Sequence, residues 1–437
     1  MQNPQLDRRR FLALGSGLAA AMGLAACGSN NGRSEGSGPA SSAGSSGGSG
    51  GGGGTPSLSQ WYHQYGETGT QQAVEKYAAA YDKAEVSVQW TPGDYDKKAA
   101  AALLTGNGPD VFEYGNGATL DMIRGGQVVD LTDLLGDAKD DFTPSLIERM
   151  TYEGKLYAIP QVTDMQLLVY RKSLLEKAGV QPPKTLDELI DAAHTLTTKK
   201  AKGLFVGNDG GVGVLPGPLL WASGADYLDD SDAPGFTTPE VAQGFAKLHS
   251  LFTSGSLLLG APTDWSDPSA ISQGLTAMQW TGLWTVPALQ KSLGDDFGVL
   301  PFPANGSGGK PAVPVGAYGS LVNAKSKDVE AAKAYVKWLW VDNTQAQEDW
   351  ATGYGFHIPA RKSLAEKSTK LQTGVAADAV SFVNDYGHAQ TPLLWTPASS
   401  TAFGDATSRI IKDGSDPAKQ LAGVATKVKS EISRVKS

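Results

Sequence analysis

The chain reads as an α/β protein on three observations. Segments with period-two alternation take turns with segments whose apolar residues recur every three or four positions. Gly- and Pro-rich breaks separate the two kinds. The composition, 40% hydrophobic and 19% charged, is that of a globular chain, long enough from residue 58 onward for more than one domain.

Taken in order, residues 58–62 open the body as a short apolar stretch closing on Trp61-Tyr62-His63. Val74, Tyr77, Ala78 and Tyr81 then recur at helical spacing. Val86, Val88 and Trp90 alternate with polar residues as in a strand. A helix over 95–104 is broken by Gly106-Asn107-Gly108-Pro109, and Asp110-Val111-Phe112 begins the next strand. This β-α-β-α-β order predicts a largely parallel sheet with helices on both faces.

The alternation continues with a short helix over 119–125 and strands over 155–160 and 167–170. Helices follow over 173–179 and 185–197, the second opened by Thr185 and Glu188 at capping-box spacing. A helix over 239–253 precedes strands near 275–280 and 297–299. Residues 328–341 predict an amphipathic helix with Val329, Ala332, Val336 and Leu339 on one face. The tail from about 402 to 436 predicts a mostly polar helix. There is no internal repeat.

The N-terminus carries an address. Arg8-Arg9-Arg10-Phe11-Leu12 precedes an apolar run that ends at Ala26. Basic residues, an apolar stretch and small residues before a cut site make an export signal. The run is shorter than the roughly 20 apolar residues that span a bilayer. Cys27, the chain's only cysteine, follows Leu24-Ala25-Ala26, where bacterial lipoprotein signals place the lipidated cysteine. The arginines with Phe-Leu behind them resemble a twin-arginine signal; they equally supply plain n-region charge. With one cysteine there is no disulfide framework. Residues 28–57, rich in Gly, Ser and Asn, make a flexible tether of roughly 30 Å r.m.s. span. No Gly-Lys-Ser/Thr closes it as a phosphate loop. The net charge of −8 argues against nucleic-acid partners, which want a basic surface.

The order of several motifs then meets a family. Gly108-Pro109-Asp110-Val111 is followed by Gly125-Gly126-Gln127-Val128-Val129-Asp130-Leu131, then Glu153-Gly154-Lys155-Leu156-Tyr157-Ala158-Ile159-Pro160 and Val169-Tyr170-Arg171-Lys172-Ser173. Pro182-Pro183-Lys184-Thr185-Leu186, Gly282-Leu283-Trp284 and Gly355-Phe356-His357-Ile358-Pro359-Ala360-Arg361 complete the series. Across residues 58–437 this resembles the extracellular solute-binding proteins of ABC importers, in the branch that takes mostly sugars and oligosaccharides. Leu275 departs from the Lys that relatives often carry there. The resemblance implies a periplasmic-binding-protein-like fold with two α/β lobes, a hinge and an interlobe ligand cleft. It puts crossovers near 165–168, 314–317 and 355–361. Lobe one is then 58–165 plus 316–358, and lobe two 166–314 plus 360–437. It also implies a monomer anchored by Cys27 on the outer face of the cytoplasmic membrane, with an ABC permease as partner and no cofactor.

A sugar site needs aromatic walls for C–H faces and polar side chains for hydroxyls. Trp284, in the Gly-x-Trp position that lines the family's cleft, reads as a wall or as core. Trp61 and His63 end the first strand, at the carboxyl edge where α/β sheets bind ligands; packing and solvent are their plainer fates. Glu113, Tyr114 and Asn116 follow a strand in the same way. Gln161 and Asp164 precede a crossover, where Asp164 alternatively braces the hinge. Trp221, Asp264, Trp265 and Trp395 sit in loop-like settings. Tyr318 and Arg361 lie at crossovers, Arg361 either reaching hydroxyls or tying the lobes. Trp338 and Trp340 read as structural, and Trp350 and Tyr354 stay open.

Two other classes were weighed against transport. A secreted carbohydrate-active enzyme needs two carboxylates across a scissile bond, which no motif here singles out. The body from residue 58 onward has no Gly-x-Ser-x-Gly elbow, and the five histidines lack metal-ligand spacing. A ligand-sensing lipoprotein without transport is the third class.

Overall fold

The computed structural model describes residues 55–354 and 356–437. The segments expected to be an export signal, Cys27 and nearly all of the expected tether lie outside the described residues. The strands, in chain order, are β1 (Ser57–His63), β2 (Glu85–Thr91), β3 (Val111–Gly115), β4 (Thr151–Tyr152), β5 (Lys155–Leu156), β6 (Ile159–Pro160), β7 (Val162–Tyr170) and β8 (Lys202–Phe205). Then come β9 (Thr276–Gly282), β10 (Gly298–Leu300), β11 (Val313–Gly316), β12 (Tyr318–Val322), β13 (Ile358–Pro359) and β14 (Gly387–Ala389).

Two sheets carry the two lobes. The first has the order β2-β1-β3-β12-β6, and the second β14-β11-β7-β9-β8 with β10 and β13 also on β7. β1, β2 and β3 are mutually parallel, as the β-α-β-α-β pattern predicts; β12 returns antiparallel to β3. In the second sheet β8 and β9 are parallel, and β7 runs against β9.

The chain passes between the sheets three times. The first passage is at Gln161, between β6 and β7, earlier than the 165–168 read from sequence. Val162 already pairs with Pro359 and Asp164 with Gly316, so residues 162–165 belong to the second sheet. The second passage is at Ala317 and the third follows His357. β6–β7 and β11–β12 pair along both lobes, Ser320 with Ile159 at one end and Val315 with Met165 at the other. The hinge is therefore a continuous two-stranded ribbon, with β13 laid on it.

The interior is two apolar clusters, the first of which continues from lobe one onto one face of the second sheet. One cluster gathers Leu58, Tyr62, Phe112, Leu321, Tyr335 and Trp340, the other Leu204, Leu219, Phe236, Phe245, Trp280 and Phe403. Side chains alternate across a strand, and β7 obeys this: Leu168 joins the second cluster, Leu167 and Val169 the first. Both faces of the second sheet are therefore dry. Each such buried side chain contributes about 1.5–3 kcal/mol.

Local chemistry sets the helix ends. The capping box of Thr185 and Glu188 forms. The helix expected over 328–341 runs as α-helix only over Val329–Lys337 and widens into a π turn at Trp338–Asp342, closed by the Asn343 amide on the Trp338 carbonyl. The tail is two helices, Pro397–Asp413 and Pro417–Lys436. Gly414, at φ 67°, caps the first in the left-handed region, and Pro417 opens the second.

Contacts away from the ribbon also join the lobes. Asn116 Nδ2 donates to Gln390 Oε1 at 3.1 Å, and Arg149 Nε to the Thr391 carbonyl at 2.6 Å. The Arg434 guanidinium meets both oxygens of Asp121 at 3.0 and 3.2 Å, and Arg124 donates to the Val435 carbonyl.

Candidate functional site

The strand registers bring the carboxyl ends of both sheets to the hinge. Gly115, the last residue of β3, pairs with Tyr318. Gly282, the last residue of β9, pairs with Gln166. Gly316 and Asp164, two residues short of Tyr318 and Gln166, pair with each other. Residues leaving β1, β3, β9 and β14 therefore converge around the ribbon.

On lobe one the centre is His63. Its ring stacks on Tyr318, centroids 4.2 Å apart at 17°, and lies 3.7 Å from Tyr65. Glu113 holds this arrangement from beneath. It accepts from the His63 amide at 2.7 Å, faces His63 Nδ1 at 2.5 Å and accepts from the Tyr65 hydroxyl at 2.7 Å. The Glu113 side chain has no exposure, so it sets the wall and is not itself the wall, contrary to the sequence reading. Gln161 is likewise buried, with Oε1 3.4 Å from the Tyr65 hydroxyl. Burial pushes the Tyr318 hydroxyl up, with the charges of Asp96, Glu113 and Asp164 adding to it.

Asp96 belongs to the same wall and was not singled out from sequence. It sits in the first turn of the helix Tyr95–Thr105, just past the carboxyl end of β2. A Cβ on Gly115 would lie 2.9 Å from its Oδ2, so glycine makes room for the carboxylate. Oδ1 is buried with no partner among the described residues. Burial, then the charge of Glu113, pushes this carboxyl up to about 6. The signal available was its place after a strand end, the rule that marked His63 and Asn116.

The floor is polar. Asn116, in the left-handed region at φ 60°, reaches across to Gln390. A Cβ on Gly316 would lie 2.6 Å from Asn116 Oδ1 and 2.7 Å from the Gln390 amide carbon. Asp164 stands across the strand pair from Gly316, with a quarter of its side chain open.

On lobe two the wall is Trp284 with Trp265, edge to face at 5.8 Å. The Trp284 indole donates to the Ser266 carbonyl at 2.8 Å. It lies over Gly282, where a Cβ would fall 1.8 Å from the ring. Asp264, exposed, accepts from the amides of Asn208 and Trp265 at 3.0 and 2.8 Å; it shapes the loop that presents Trp265.

Other expected ligand residues lie elsewhere. Trp395 is buried among Tyr227, Phe236 and Phe403, a core residue. Trp221 is buried too, its indole donating to Asp226 at 3.0 Å and its face stacked on His388; it supports β14 from below. Trp61 and Tyr114 are half-buried against the first core. Arg361 donates to Asp141 at 2.7 Å and to the Val341 carbonyl at 3.0 Å, which ties the third passage to lobe one. Trp340, read as structural, is buried, and so is Trp350, one of the two left open, which packs against Tyr65 behind the His63 wall.

This geometry has counterparts. A family model for bacterial extracellular solute-binding proteins matches residues 36–346. The chain is a bacterial extracellular solute-binding protein. The solute-binding protein is 29% identical over 320 residues to the diacetylchitobiose binding protein DasA of Streptomyces coelicolor, covering 68% of this chain and 70% of that one. It is 26% identical over 277 residues to the maltotriose-binding protein of Pyrococcus abyssi, covering 62% and 58%. Solved structures share its fold. An ABC transporter solute binding protein of Thermotoga lettingae bound with α-D-tagatose superposes with a TM-score of 0.74 at 21% identity, covering 86% of this chain and 100% of that one. The GacH receptor of Streptomyces glaucescens does so at 0.73 and 23%, covering 87% and 99%. Among the described residues of the solute-binding protein, no helix is long and apolar enough to cross a membrane.

Proposed function

We propose that this solute-binding protein captures a sugar or short oligosaccharide between its lobes and delivers it to the permease of an ABC importer, without chemical turnover. The observation that carries the reading is one aromatic pair on each lobe, His63–Tyr318 and Trp265–Trp284, each at a strand end that the registers bring to the ribbon, where Asn116, Asp164 and Gln390 also lie. Aromatic faces pack against sugar C–H surfaces, while the floor residues and Asp96 accept or donate to hydroxyls. The names of the relatives, diacetylchitobiose- and maltotriose-binding, point to the same ligand class. Lobes that exchange about the ribbon contact the ligand together only when closed, so the ligand shifts the population to the closed form. Cys27 carries a lipid anchor in this reading, and the tether keeps the receptor near its permease as a monomer outside the cell.

Intrinsic tryptophan fluorescence against glucose, maltose, maltotriose, mannobiose, diacetylchitobiose and tagatose tests it. Saturable binding of at least one, with the sugar recovered unchanged, is the expected result. No response to any of the six overturns it, and hydrolysis of the bound sugar would return the enzyme reading.

A further inference from the structure

The third passage of the chain carries a buried histidine clamped between two acids. His357, 5% exposed, has Nε2 3.1 Å from Glu67 Oε1 and Nδ1 3.1 Å from Asp164 Oδ1. The first contact is an aligned hydrogen bond. The second is an ion pair off the hydrogen-bond line, and neither Nδ1 nor Oδ1 has another partner among the described residues. An imidazole that faces acceptors on both nitrogens must carry both protons. Burial alone would lower its pKa, but Asp164 and Glu67 outweigh burial and hold it at about 10. Glu67 is held low in return: burial would raise it, and the bond and charge of His357, with a backbone bond and the charge of His63, together outweigh that.

The two acids differ in where they look. Glu67 has 12% of its side chain exposed, Asp164 25%. Asp164 is also the one on the hinge ribbon, opposite Gly316 and near enough to Tyr318 for its charge to act on that hydroxyl. One oxygen of Asp164 is committed to His357, which leaves Oδ2 for the cleft.

We propose that His357 is a positioning residue for ligand binding: its imidazolium grips Oδ1 of Asp164 and turns Oδ2 into the cleft to accept a sugar hydroxyl. The inference rests on the sugar-binding reading and names the group that orients one of its acceptors. A hinge that only needed bracing would be served as well by apolar packing, because a buried ion pair is seldom worth more than its hydrophobic replacement. A carboxylate oriented by a fixed cation is instead what a hydroxyl donor needs.

The test is His357→Gln, measured with the tightest-binding of the six sugars above. Glutamine leaves two carboxylates facing each other without a cation, so Glu67→Gln/His357→Gln is made as well to relieve the repulsion and keep the fold. The groups facing the pair are Glu67, Asp164, Tyr318 and, through Glu67, His63. Both variants are expected to bind at least tenfold more weakly at pH 8. In a double-mutant cycle with Asp164→Asn, the loss from His357→Gln should largely vanish, since both act on one interaction. Affinity of the double variant within twofold of wild type at pH 8, or losses that add in the cycle, overturns the role of His357 alone. A wild type that binds none of the six sugars overturns the sugar reading and this inference with it.

Discussion

Trp284 and Trp395 are the same residue type, two residues beyond a strand end and three beyond a proline respectively, yet burial separates their roles. Trp284 is partly exposed and held by one bond to Ser266. Trp284→Ala should weaken sugar binding at least tenfold while the melting temperature stays close to wild type. Trp395→Ala empties a packed aromatic site and should cost about 3–5 kcal/mol of stability, read by denaturant unfolding. A large stability loss at Trp284 would make it core after all. Asp96 gives a pH-dependent case. Its carboxyl is raised in the folded protein to about 6, above the roughly 3.9 of an unfolded chain. Folding therefore pays a penalty that is complete above about pH 6 and fades as pH falls toward 4. Asp96→Asn should raise the melting temperature at pH 7.5, lose that gain at pH 4.5, and weaken sugar binding. Calorimetry at the two pH values checks the first part, and no difference between them would count against it.

At the scale of elements, regular segments with strong periodicity were legible and transitions were not. Val86, Val88 and Trp90 announced β2, and Thr185 with Glu188 announced a helix start, because the signal lies within the segment. The break at Gly414 was also written locally, in a glycine followed by Asp416-Pro417, but the apolar positions on both sides share a helical period and masked it. The π turn at Trp338–Asp342 depends on how Trp340 packs into the first core, which no local pattern carries. Reading from strand ends supplied His63, Asn116 and Asp164 to the proposed site. It failed where loop composition stood in for position: Pro392 and Pro397 around Trp395 suggested a loop, and Tyr227, Phe236 and Phe403, which bury it, come from distant parts of the chain. Glu113 shows a third limit. The sequence places it after a strand ending at Phe112, whereas it lies inside β3, and only the fold reveals that His63 and Tyr65 consume its oxygens.

For the whole molecule, closure is the measurable event. Small-angle scattering should report a smaller radius of gyration on addition of any sugar that binds, because the lobes rotate about the ribbon while the cores stay intact. A sugar that binds without compaction would mean the cleft is already shaped for it and would remove the closure model. The contacts of Arg434 with Asp121 and of Arg149 with Thr391 lie between lobes outside the ribbon, so they must lengthen or tighten when the lobes rotate.

The place of β12 between β3 and β6 has a consequence for how the chain is made. The first sheet receives a central strand from residues 318–322, so β1, β2 and β3 wait with one edge of β3 unpaired while the second lobe is synthesised. At about 5–20 residues per second that wait is on the order of 10–40 s. An open strand edge is a template for wrong pairing, and here it stays open through the synthesis of about 200 residues. The first lobe to be started is therefore not the first to be finished, and the nascent chain needs its edge shielded until the ribbon closes.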